Sequence, residues 1–105
     1  MLNGNVKVSQ VQAVLGKYRL RRLKGTIKWS ELFDNEEDLI STFKNLDKEK
    51  LELCIKRGYV KGTEYLKSFY IQLNEDKLLS AKQVTMLKRL AVEISILKEL
   101  MACID

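Results

Sequence analysis

Not one proline interrupts this 105-residue chain, and only five glycines do. Proline removes an amide donor and clashes with the preceding helical turn, and glycine weakens a helix through its backbone entropy. A chain almost free of both tolerates long helices. A hydrophobic content of 46% supports a modest core within one domain. The expected fold is all-α, a small helical bundle of about four helices with a basic N-terminal segment.

Local patterning places the helices. Ser9 with Gln12 fits a capping box, and Val11, Val14, Leu15 and Tyr18 then repeat as one buried stripe. Asp34 with Glu37 is a second start signal, ahead of an amphipathic stretch through Leu39, Ile40, Phe43 and Leu46. Asp47 is the expected N-cap of a third helix presenting Leu51, Cys54, Ile55 and Tyr59, with a bend or break at Gly58 and Gly62. From Thr63 a further helix carries Leu66, Phe69, Tyr70 and Leu73, and Asn74-Glu75-Asp76-Lys77 is a polar turn. Ser80 and Gln83 form the clearest capping box. They open a last helix with Val84, Leu87, Ala91 and Ile94 inward and Lys88 and Lys98 outward. Its far end is apolar on several sides, so Leu97, Leu100, Met101 and Ile104 belong either to the core or to a homodimer surface on the C-terminal helix.

The net charge of +5 is unevenly spread. Residues 1–30 hold seven cations and no acid, while residues 31–105 hold 12 cations and 14 acids. The natural division is a basic N-terminal arm or helix (1–30) and a helical module (31–105). If the first helix runs on, Lys17, Arg21, Lys24 and Lys28 recur at spacings of four, three and four, on one face about 16 Å long. Arg19 and Arg22 lie on neighbouring faces. Like charges so placed repel, and a phosphate backbone relieves the repulsion while releasing counterions. Lys17, Arg19, Arg21, Arg22, Lys24 and Lys28 are therefore the candidate nucleic-acid-binding residues. Tyr18 and Trp29 flank them, as base-stacking platforms or as core. Gly25 ends the helix in the shorter alternative, and Tyr18-Arg19-Leu20-Arg21 alternates as a short strand would.

Other chemistry is sparsely provided for. With no histidine, neither a Ser-His-Asp nor a Cys-His nucleophile system can be built, and histidine-bearing zinc sites are excluded. Cys54 and Cys103 stand among apolar neighbours, as buried, reduced thiols do. The carboxylates Asp34, Glu36, Glu37 and Asp38 sit where a helix dipole favours negative charge. No phosphate loop follows Gly58 or Gly62, and no apolar run approaches the roughly 20 residues of a bilayer span. The first nine residues hold no apolar stretch of the secretory kind. The expectation is a non-enzyme without cofactor or metal, cytoplasmic, and not bound to membranes.

Residues 46–95 carry a further pattern. It runs Leu46-Asp47-Lys48-Glu49-Lys50-Leu51, then Lys56-Arg57-Gly58-Tyr59, then Ser68-Phe69-Tyr70-Ile71-Gln72-Leu73. It closes with Leu79-Ser80-Ala81-Lys82-Gln83 and Leu87-Lys88-Arg89-Leu90. This stretch resembles the small helical accessory proteins that accompany the phage recombination helicase UvsW. The resemblance implies a helical accessory domain in a phage-infected or bacterial cell, near nucleic-acid machinery, with no catalytic residues.

Two functions follow as expectations. The first is a non-catalytic accessory protein that holds nucleic acid, DNA before RNA, by its phosphates. The second is a protein-interaction module, an adaptor or inhibitor that docks the same basic surface on an acidic protein surface. A helix-turn-helix regulator fits less well, because the residues after Leu15-Gly16 are poor in base-reading Asn, Gln, Ser and Thr.

Overall fold

The computed structural model describes residues 6–104, which are all-helical apart from one isolated bridge between Val6 and Ile104. Seven α-helices follow in order among the described residues: α1 (Val8–Leu23), α2 (Trp29–Leu32), α3 (Glu36–Lys44), α4 (Lys48–Lys56), α5 (Thr63–Asn74), α6 (Ala81–Arg89) and α7 (Ala91–Leu100). A 3₁₀ turn, Met101–Cys103, ends the described chain. The all-α expectation holds, with more and shorter helices than the four expected.

The caps show why. Asp47 accepts from the Lys50 amide at 3.0 Å and opens α4 as expected. The Ser80–Gln83 capping box forms in both directions, at 3.2 and 2.9 Å. Two other start signals are displaced. The N-cap of α3 is Asn35, whose side chain accepts from the Asp38 amide, while Asp38 in turn accepts from the Asp34 amide. The Ser9–Gln12 box does not form, because α1 begins at Val8 behind Lys7. The Lys7 amide donates to the Cys103 carbonyl at 2.9 Å, so a contact from the far end of the chain sets this helix start.

The expected last helix is two helices. Its apolar spacing runs unbroken through Leu90, but the backbone there leaves helical geometry (φ −94°, ψ 8°) and α7 departs from α6. Beside this bend lies the turn between α4 and α5. Gly62 adopts φ +69°, and a Cβ there would fall 2.6 Å from Leu90 Cδ2. The position favours glycine for its left-handed backbone, and a Cβ there would also displace the end of the Leu90 side chain. Gly62→Ala is expected to cost about 1–2 kcal/mol. Thermal unfolding against wild type checks this, and an unchanged midpoint would mean that Gly62 does not hold the left-handed backbone described.

Helix α7 is the hub. It packs against α1, α2, α3, α4 and α6, and Ala91, Glu93, Ile94, Ile96, Leu97 and Leu100 are buried on it. A helix apolar on all sides needs neighbours on all sides, and here the chain itself supplies them. Leu97, Leu100 and Ile104 are thus buried within the chain and Met101 is half-buried, so of the two places expected for these residues the core is the one observed. Val11 and Tyr18 of α1 lie in the same core as Leu39 and Phe43 of α3 and Leu66 of α5. The basic first helix is built into this core. No described helix is long and apolar enough to cross a membrane.

Candidate nucleic-acid interface

The six cations expected to form one binding face are divided by the fold. Helix α1 ends at Leu23, with Lys24 as its C-cap, and Gly25 turns the chain at φ +146°. Lys28 therefore does not continue the helical row of Lys17, Arg21 and Lys24. It stands instead on the far side of a short turn, where its amide donates to Glu31 Oε2 at 2.7 Å.

Two cations are engaged inside the protein. Lys17 pairs with Glu99 of α7, and Arg22 pairs through Nη2 with Oε1 of Glu93, which is buried. Glu93 Oε2 also accepts from the Lys61 amide at 3.3 Å, so one carboxylate ties together α1, α7 and the α4–α5 turn. Burial acts to raise the Glu99 carboxyl pKa. The Lys17 ammonium and the Tyr18 hydroxyl outweigh it and hold the group below its ordinary range. The Lys17 pair is largely exposed and contributes little to stability. It nonetheless places a carboxylate beside that ammonium and reduces its pull on a phosphate.

The aromatic platforms are also occupied. Tyr18 is buried and shares a hydrogen bond with Ser95 Oγ, and burial keeps its phenol protonated. Trp29 is half-buried beneath the Lys88 ammonium, 4.8 Å from its ring centroid, and Lys88 is itself paired with Glu36. Neither ring is presented for stacking on a base. Lys88, expected to face outward, is half-buried in this contact.

Arg19, Arg21, Lys24 and Lys28 remain, and none of them pairs with a carboxylate of the described residues. The fold adds Arg89, from the last turn of α6. An open cleft of about 480 Å³ on one side of the turn is lined by Arg22, Gly25, Thr26, Ile27, Arg89, Val92 and Glu93. A smaller cleft of about 210 Å³, involving Arg21, Lys24 and Glu31, shares Gly25, Thr26 and Ile27 with it. Cations thus stand on both sides of one turn. Arg89 had no mark in the sequence beyond its place in the 87–90 run, because its approach to Arg22 comes from the bend between α6 and α7.

Cys54 and Cys103 are free and buried, and burial pushes the Cys54 thiol up to about 11, which keeps it protonated and unreactive. Among the described residues no cluster of three or more potential ligands could hold a metal ion. The α3 carboxylates Glu36, Glu37 and Asp38 occupy its first turn, where they meet the positive end of the helix dipole. Comparison of the chain with family models, with curated proteins and with solved structures finds no match, so the resemblance to the helicase accessory proteins rests on residues 46–95 alone.

Proposed function

We propose that this protein is a non-catalytic accessory protein of a phage-infected or bacterial cytoplasm that holds nucleic acid by its phosphates. One observation carries the reading. Arg21, Lys24 and Arg89 line the clefts on the two sides of the turn after α1, and Lys28 follows that turn in the chain. Glu31 and Glu93 also line these clefts, but none of the four cationic side chains forms an ion pair with a carboxylate of the described residues. The C-terminal end of α1 has the wrong dipole for an anion, so contact falls to these long side chains and not to backbone amides. Such contacts position a protein on a duplex without reading its sequence. With Tyr18 and Trp29 withdrawn, little favours an unstacked single strand, and duplex DNA is the preferred ligand.

Fluorescence anisotropy of a labelled duplex over a salt series tests this. Four phosphate contacts predict that log K falls with log salt at a slope of about −3.5. The double substitution Arg21→Glu and Lys24→Glu is expected to weaken binding at least tenfold and equally for all sequences. Absence of binding at low salt, or affinity untouched by the double reversal, would overturn the proposal.

A further inference from the structure

The outward face of α1 poses a separate question. Leu20 is 63% exposed and Leu23 is 79% exposed, although both sit on a well-formed helix of 16 residues. They are not isolated. Counting back in steps of three and four, Leu23, Leu20, Gly16, Ala13 and Ser9 form one straight strip on the side opposite the core residues Val11 and Tyr18. This alternation is the spacing of a coiled-coil seam. Helix α1 thus carries two seams, one turned to α7 and one turned outward.

Gly16 is the second observation. Glycine is the costliest residue other than proline in a helix interior. Its φ does not lie in the left-handed region, and a Cβ built there meets nothing within 4 Å. No internal packing requires glycine at this position. A body approaching from outside does gain from it, since small residues let two helix backbones come close.

The charges identify the body. Arg19 borders the strip on one side and Lys24 on the other, neither paired with a carboxylate of the described residues, while Lys17 beside Lys24 is paired with Glu99. Helix α1 itself contains no acid. A second copy would set basic helix against basic helix and be repelled. An anionic bilayer would accept Leu20 and Leu23 but gain nothing from Ser9, Ala13 and Gly16, which have no bulk to insert. An amphipathic helix fits both halves of the strip. Its apolar side chains lie over the small residues and against the leucines, and acids on its flanks meet Arg19 and Lys24.

We infer that the outward face of α1 is a docking strip for an acidic amphipathic helix of a partner protein. The strip adjoins the phosphate-contacting turn and shares Lys24 with it, but Gly16, Leu20 and Leu23 lie outside the clefts of that turn, so substitutions at these three positions separate this inference from the nucleic-acid reading.

The test uses the full chain and a labelled helical peptide of about three heptads with leucine at a and d and glutamate on both flanks. A second peptide has the same leucines and lysine flanks. The glutamate peptide binds and the lysine peptide does not. Gly16→Leu, and separately Leu20→Ser with Leu23→Ser, weaken the glutamate peptide about tenfold or more while duplex DNA binding is retained. Gly16→Ala raises the midpoint of thermal unfolding by about 3–6 °C, which shows that the glycine does not serve the isolated fold. No binding of the glutamate peptide, equal binding of both peptides, or affinity unchanged by the strip substitutions overturns the inference. So does a dimer, or binding to phosphatidylglycerol vesicles, that is lost with the same substitutions and does not compete with the peptide.

Discussion

Phe43→Ala is expected to destabilise the protein by about 3–5 kcal/mol, the largest effect of any single substitution considered. Phe43 is fully buried on α3, and its ring meets the edge of Tyr70 on α5 with centroids 5.8 Å apart and planes 73° apart. Tyr70 in turn donates its hydroxyl hydrogen bond to the Leu46 carbonyl, in the turn that leads from α3 into α4. Truncation therefore removes apolar burial, leaves a cavity beneath α3, and releases the ring that holds a buried hydroxyl in place. A protein of this size commonly has only about 5–15 kcal/mol of stability in total. The unfolding midpoint should fall by about 15–25 °C, and Phe43→Leu, which keeps most of the volume, should lose less than half as much. Urea denaturation followed by circular dichroism measures both variants. A loss under about 1 kcal/mol for the alanine variant would mean that α3 does not dock on α5 as described.

Much of this core was legible in the sequence. Leu39, Phe43, Leu51, Leu66, Phe69 and Leu73 recur at helical spacing, and all of them are buried. The starts of α4 and α6 were legible for a related reason. A cap is a bond between residues three apart, so Asp47 with Lys50 and Ser80 with Gln83 carry their own signal. The start of α1 was not legible, because it depends on a bond from Lys7 to Cys103. Neither was the bend at Leu90. Neither glycine nor proline stands there, and the apolar spacing is the same on both sides. What sits against the bend is Gly62, on a turn remote in sequence.

The candidate site divides along the same line. Seven cations without an acid in the first 30 residues is a count that anyone can make from the chain. Which of them remain free is decided by carboxylates far away. Lys17 is 82 residues from Glu99 and Arg22 is 71 residues from Glu93, separations over which helical periodicity carries no information. The exposed leucines were missed for a different reason. Helical spacing sets Leu20 and Leu23 opposite the Val11–Tyr18 stripe, and it is their exposure in the fold that shows them left uncovered by the described chain.

The Arg22–Glu93 pair yields the second large effect, and its two halves should not be equivalent. The Glu93 side chain is 9% exposed and that of Arg22 is 41% exposed. Removing the arginine strands a buried carboxylate whose remaining partner is a long bond from the Lys61 amide, at 3.3 Å. Removing the carboxylate merely frees a guanidinium that already reaches water. Breaking a fully buried pair costs about 3–5 kcal/mol, and solvent access at Arg22 moderates this. Arg22→Ala is expected to cost about 2–3 kcal/mol and Glu93→Leu about 1 kcal/mol, with a double variant no worse than Arg22→Ala alone. Binding to duplex DNA should show the reverse pattern. Glu93→Gln leaves Arg22 without its neutralising charge beside Arg89 and the turn, so affinity should rise about two- to threefold and the salt slope steepen by up to one unit. Arg22→Ala, measured where it is still folded, should bind nearly as wild type does. If Arg22→Ala instead abolishes DNA binding without loss of stability, Arg22 belongs to the interface and its pairing with Glu93 gives way when nucleic acid arrives.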